Sequence, residues 1–311
     1  MKYFRIIFYK NKAIFLIIFF LVLFFVGCIN KKNPTVEDFN PLKIYLENKK
    51  SEVKIFRTFS ANINFEPSEI KLKSYSQHQM LYIYFYSDTP FKEMYVYPSS
   101  VFGIKVESKS TEFALKTKIS YQSWMKESKI TIPVEVYSDS NVKNSNENSE
   151  LFFYFYIFYS IHQTVKYKVL NEYVVVEIPP QKGPLQIVNA YGRYIITKNV
   201  LSLYFEIENV GDGMFFDSKV FESHFLGFVD SKYINKVNFF RYNIGTGHYE
   251  LCDVGEFINN KIKVRCDIIF NDQTLRELNE MNKNNMELEK VTNILLNYGY
   301  LITRKIYIQK E

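Results

Sequence analysis

The sequence predicts an all-β protein: an N-terminal membrane segment, then two antiparallel β-sandwiches in tandem, with one short helix near residues 274–285. Three observations carry this prediction. Apolar and polar residues alternate with a period of two in many short stretches, the pattern of strands with one buried face. Clusters of Asn, Ser, Gly and Pro separate those stretches. Phe and Tyr are unusually frequent, 29 and 25 of 311 residues beside a single Trp, and both suit strands. Apolar residues make up 47%, ample for packed cores and too many for a disordered chain.

The N-terminus sets the address. Lys2, Arg5, Lys10 and Lys12 precede an uninterrupted apolar run of 14 residues, 13–26, which ends in Gly27 and Cys28 before Asn30, Lys31, Lys32 and Asn33. This is the charged, apolar, small-residue layout of a secretory signal. As a helix the run covers about 21 Å, short of the ~30 Å hydrocarbon core; extended through Ile29 it reaches the lower edge for a spanning helix. Two readings stay open: a cleaved signal whose Cys28 becomes lipidated, and an uncleaved signal anchor. Both place the body outside the cytoplasm, because the basic residues cluster before the run. Residues 1–28 are thus the signal or membrane anchor. Residues 29–50, polar and containing Pro34 and Pro41, form a spacer.

The first sandwich is predicted over residues 51–179. Positions 53, 55, 59, 61, 63 and 65 are apolar and alternate with Lys54, Thr58, Ser60, Asn62 and Asn64. A turn at Glu66, Pro67 and Ser68 follows. Leu81, Ile83 and Phe85 share one face of the next strand, and Tyr82, Tyr84 and Tyr86 share the other. Ile130, Ile132, Val134 and Val136 mark another strand, where Pro133 predicts an edge or a bulge. Residues 138–150 read as a loop. Residues 151–161, 165–169 and 174–178 complete the set.

Pro179, Pro180, Gly183 and Pro184 interrupt regular structure, and the domain boundary is placed there. The second sandwich is predicted over residues 185–311. Leu201, Leu203, Phe205 and Ile207 alternate with Ser202, Tyr204, Glu206 and Glu208. Ile262, Val264, Cys266 and Ile268 alternate with Lys261, Lys263, Arg265 and Asp267. Asp272 is the expected N-cap of the helix. Residues 293–298 and 302–308 read as a final pair of strands.

Two short stretches carry resemblances. Phe25-Val26-Gly27-Cys28 resembles the lipobox of bacterial lipoproteins, with Phe25 where most carry Leu, and this resemblance implies lipid attachment at Cys28. The run 201–215, with Asn209, Gly211 and Gly213 in an Asn-x-Gly-x-Gly pattern, resembles the opening strand and turn of CARDB-type immunoglobulin-like domains of envelope proteins. Residues 296–309 resemble the closing hairpin of such domains, and the helix-prone stretch after Asp272 departs from them. The resemblance implies immunoglobulin-like sandwiches acting as spacers or as adhesion and binding modules, and no reaction.

The candidate chemistry is sparse. Cys252 and Cys266 flank a turn at Asn259 and Asn260; with a two-residue loop Cys252 lies nearly opposite Cys266 or Asp267, and a small bulge brings the sulfurs together. A disulfide is one reading and two buried thiols are the other. His78, His162, His224 and His248 are scattered. His248 near Cys252, with Glu250 or Asp253, is the basis of an alternative function, an envelope enzyme or metal-binding protein. No catalytic residue, metal site or cofactor is assigned. Gly245-Thr246-Gly247-His248 lacks the Lys-Ser/Thr of a phosphate loop. Tyr82, Tyr84 and Tyr86 in one row, with Tyr154 and Tyr156 in another, are the candidate binding face for a protein or glycan partner; the competing reading is a second packing layer. The net charge is +6, and the four basic residues before the apolar run leave +2 for the rest, which argues against a nucleic-acid partner. The expected protein is a non-enzymatic, extracytoplasmic, membrane-anchored protein for binding, adhesion or envelope structure; an obligate subunit of an envelope complex is a further alternative.

Overall fold

Two very long strands organise the molecule. In the computed structural model, which describes residues 59, 61–72, 77–110, 115–116, 118–120, 128–138, 149–220 and 229–310, β8 (Ser149–Leu170) and β17 (Leu288–Lys310) are 22 and 23 residues long. They pair antiparallel without interruption from Leu288↔Val169 to Ile308↔Ser149. At ~3.4 Å per residue this ladder runs for roughly 70 Å. The anchor (1–28), Cys28 and the spacer (29–50) lie outside the described residues. Among the described residues no helix is long and apolar enough to cross a membrane.

The all-β expectation holds. Among the described residues one sheet has four strands in the order β1–β3–β7–β5: β1 (Ala61–Glu66), β3 (His78–Ser87), β7 (Ser128–Ser138) and β5 (Ile104–Ser108). The other has 13 strands and contains β8 and β17. Towards one end of the ladder, β17 meets β2 (Glu69–Leu72) and β12 (Met214–Phe216), and β8 meets β4 (Glu93–Pro98), beside β6 (Ile119–Ser120). Towards the other end lie β13 (Asn238–Asn243) and β14 (His248–Leu251) next to β17, and β9 (Tyr173–Glu177) next to β8. From β9 the sheet continues through β10 (Leu185–Ile195), β11 (Val200–Asn209), β16 (Lys261–Ile269) and β15 (Asp253–Ile258).

At both ends of the ladder apolar strand faces pack on one another, because alternation gives each strand one apolar face to bury. At the first, Phe85 of β3 stacks on Phe155 of β8 at 6.3 Å, and Phe65 of β1 meets Phe153 at 5.4 Å. At the second, Phe205 of β11 faces Phe239 of β13 at 5.2 Å. Leu151, Phe153, Phe155, Ile157, Tyr159, Val165, Tyr167 and Val169 of β8 all point inward and are buried. One period-two pattern therefore feeds a single continuous core along the length of β8.

Four features of the sequence reading can be set beside the described strands. First, the segment at residues 179–184 connects β9 and β10, two strands of the 13-stranded sheet. β8 and β9, from before it, pair with strands from after it, and all the described residues fall in one compact unit. The segment is packed. The buried Gln181 side chain donates to Ile187 O and accepts from Ile187 N, both at 2.8 Å, and Val210 N donates to Pro184 O. Second, the expected closing pair of strands, 293–298 and 302–308, is the single strand β17. Gly299 is extended rather than a turn; it leaves space for an aromatic ring. Third, Pro133 lies on β7, an inner strand. The β5 ladder ends at Ser108↔Val134, one residue from Pro133, whose carbonyl accepts from Lys109 N at 2.9 Å. The missing N–H thus falls where the neighbouring strand has run out. Fourth, the helix is α1 (Asp272–Lys283), and its N-cap is Asn271, whose side chain accepts from Thr274 N at 2.8 Å. Asp272 instead occupies the first turn, where a carboxylate favours the helix dipole. Leu278 is buried, and Leu275 and Met281 pack against the core.

Candidate functional site

The described surfaces with chemical character are a tyrosine row, an aromatic layer, a disulfide corner and an Asn-Gly clip. The tyrosine row is built by β3. Residues two apart on a strand share a face, so burying Leu81, Ile83 and Phe85 obliges Tyr82, Tyr84 and Tyr86 to face outward. Tyr82 is 40% exposed, and Tyr84 and Tyr86 are half-buried. The Tyr82 and Tyr84 rings are nearly parallel, with centroids 6.5 Å apart. Tyr84 Oη donates to Glu66 Oε2 at 2.9 Å, and that bond holds the Tyr84 hydroxyl pKa above its ordinary value. Further along the same face His78 stacks on Tyr137 at 4.6 Å, and its Nδ1 lies 3.4 Å from Glu135. Lys109, bonded to Glu135, holds that carboxyl below the usual range.

Tyr154 and Tyr156 do not extend this row. They lie on the outer face of β8, on the far side of the core from Tyr82. The Phe85–Phe155 stack lies between the two rows. Tyr156 is only 2% exposed and belongs to a cluster with Phe158, Phe216 and Leu301, flanked by Tyr95, Tyr97 and Tyr154. The five tyrosines therefore form two opposite surfaces, and the second is a packing layer. Its cause is Gly299, which lies between Phe158 of β8 and Phe216 of β12 in register. With no side chain between them, the two rings meet at 5.7 Å and 90°.

Cys252 and Cys266 form a disulfide with a Cα–Cα distance of 4.7 Å. The local sequence explains the register. Asn259 and Asn260 have φ of 51° and 65°, the positive pair that a two-residue primed turn requires. Ile258 then pairs with Lys261, and a bulge between Val254 and Phe257 shifts the ladder by one, so Asp253 faces Arg265. Without the bulge Cys252 would lie opposite Asp267; with it, Cys252 lies opposite Cys266. At Cys252 the chain also leaves β13, whose Phe239 O accepts from Cys252 N at 2.8 Å, and joins β16. The disulfide pins a strand that crosses between layers.

The histidines are not gathered. His248 is exposed on β14, and Glu250, on the same strand face, is held by Arg241 and Asn243. His162 contacts Tyr249 Oη at 3.3 Å. His224 lies outside the described residues. Among the described residues no three His, Cys, Asp or Glu side chains converge as metal ligands.

The Asn-x-Gly-x-Gly pattern has a structural role. Asn209 Oδ1 accepts from Gly211 N at 3.2 Å, and Asn209 Nδ2 donates to Gly213 O at 2.9 Å. Gly213 N donates to Tyr300 Oη at 2.7 Å, and that hydroxyl lies 3.3 Å from Asn209 Oδ1. A Cβ on Gly211 would come within 2.2 Å of Tyr300 Oη, and one on Gly213 within 2.4 Å of Leu301 O. The motif is a turn clipped onto β17.

Sequence reasoning found the tyrosine row but not its flanks. Strand pairing lines up Asn62, Tyr86 and Lys129; Asn64, Tyr84 and Thr131; and Glu66, Tyr82 and Pro133. Alternation already put Asn62 and Asn64 on a polar face; only pairing shows that this face adjoins the tyrosines. No protein-family model matches this chain, and no curated protein matches it.

Proposed function

We propose that this protein is a non-enzymatic, extracytoplasmic protein tethered to a membrane by its N-terminal segment, serving binding, adhesion or envelope structure. The observation that carries this reading is the buried Cys252–Cys266 disulfide, with Cys252 6% and Cys266 1% exposed. Disulfides persist in oxidising compartments and are rare in reducing ones. The apolar run 13–26 ending at Cys28 supports the same side of the membrane, with lipidated Cys28 as the anchor and an uncleaved helix as the alternative. We read the two layered halves as immunoglobulin-like sandwiches, of the kind that resemblance associates with spacer and binding roles, here sharing β8 and β17. Glu250, already engaged by Arg241 and Asn243, gives the metal-centred alternative no support.

The test is mass spectrometry of the N-terminus of protein taken from native membranes, with thiol labelling of the same sample. Acylated Cys28, or intact Met1 in the membrane fraction, together with unlabelled Cys252 and Cys266, is the expected result. A soluble cytosolic body with both thiols reduced overturns the proposal.

A further inference from the structure

The outer face of the four-stranded sheet is more than a row of rings. Its central tyrosines are lined on the β1 side by Asn62, Asn64 and Glu66 and on the β7 side by Lys129, Thr131 and Pro133. Asn62 and Asn64 are exposed, and Tyr82 is 40% exposed. Nine side chains thus offer three phenol rings, two amides, one hydroxyl, one carboxylate, one ammonium and one proline ring. Among the described residues β1 is the edge strand of this sheet.

We propose that this strip binds an uncharged, extended oligosaccharide, with sugar C–H faces on the tyrosine rings and sugar hydroxyls on Asn62, Asn64, Thr131 and Glu66. The proposal names a partner class for the binding role above and rests on that reading. Three features favour this occupant. Tyr presents rigid apolar area with a polar tip, which suits a ligand that is apolar on its ring faces and polar around its rim. The single carboxylate and single ammonium cancel, whereas a single-stranded nucleic acid needs a basic groove beside its stacking platform. The strip spans three strands and five residues, about 14 by 17 Å, or roughly 240 Å². That is about a third of the ~800 Å² that each partner contributes to a stable protein interface. A narrow, neutral, hydrogen-bonding strip fits a chain of sugars better than it fits a folded protein.

The test titrates detergent-solubilised full-length protein with cellohexaose and with chitohexaose by calorimetry. Saturable binding to at least one is expected. Tyr82→Ala and Asn64→Ala each weaken it about three- to tenfold, on the scale of one aromatic or hydrogen-bonding contact. Tyr307→Ala, an exposed tyrosine on β17, leaves it unchanged. The unfolding midpoint of each variant is measured alongside, and Tyr84→Phe, which keeps the ring and loses the Glu66 bond, weakens binding less than Tyr82→Ala. Failure of the folded wild-type protein to bind either hexasaccharide overturns the proposal, as does binding that Tyr82→Ala leaves intact. Tyr82-dependent self-association in sedimentation, without sugar binding, assigns the strip to a protein contact and also overturns it. The state of Cys28 and Met1 is read separately, so loss of the tether reading and loss of the sugar reading are distinct results.

Discussion

Phe216 lies directly across Gly299, and a Cβ on that glycine would stand 2.2 Å from the Phe216 ring. The ring fills the space that β17 leaves empty and reaches Phe158 on the next strand. Gly299→Ala must push Phe216 aside or bend β17 at the middle of its ladder. The expected loss is about 1–3 kcal/mol, the usual cost of overpacking, measured as a fall in the urea midpoint. Phe216→Ala in the same background should relieve part of it, since the two residues share one contact.

The clip at Asn209 depends on one hydroxyl. Tyr300→Phe keeps the buried ring and removes the acceptor of Gly213 N–H. An unpartnered backbone donor costs about 1–3 kcal/mol, and chemical denaturation should show that loss. Amide exchange at Gly213 should accelerate in the same variant. Unchanged exchange there would mean that the turn holds without Tyr300.

The helix cap distinguishes neighbouring residues. Asn271→Ala removes the side chain that accepts from Thr274 N and should cost about 1 kcal/mol. Asp272→Ala removes only a dipole interaction and should cost a few tenths of a kcal/mol. Equal effects would contradict the capping geometry.

Buried tyrosines make the fold sensitive to base. Desolvation raises the pKa of Tyr167 to about 12 and pushes those of Tyr159 and Tyr298 up as well, from an ordinary value of 10.0. In the folded state these groups keep their protons above pH 10, whereas in the unfolded chain they lose them. The unfolded state then binds fewer protons, so stability falls as pH rises from about 10 towards 12 and is unaffected by these groups below 10. Tyrosinate absorbance should therefore appear in two steps: exposed tyrosines first, then the buried ones together with loss of the near-ultraviolet circular dichroism. A single smooth titration before unfolding would refute it.

Much of this molecule is written in local pattern. Alternation identified the strands around residues 81–86, 130–136, 201–208 and 261–268, because one buried face imposes a period of two on any strand wherever it lies. The Cys252–Cys266 bridge was legible for a similar reason. Two Asn residues define a tight turn, a tight turn defines a register, and the register carries both sulfurs to the same place. The helix was legible to within one residue at its cap, where Asn271 and Asp272 are both competent and only the backbone decides between them.

Other features depend on residues distant in sequence. Leu288 pairs with Val169 and Ile308 with Ser149 because two long apolar faces fit each other, and nothing near either strand announces the partner. That pairing runs through one continuous sheet, and the proline-rich segment connects two strands of it, β9 and β10. Gly299 shows the limit most plainly: by itself it signals a break, and only Phe216 from another strand explains why it is straight. Backbone period and hydrophobicity alone identify many of the strands and the faces they turn inward, because both act residue by residue along the chain. Which strands are neighbours, and so which outward side chains stand together, depends on how whole faces pack, and only the folded molecule shows it.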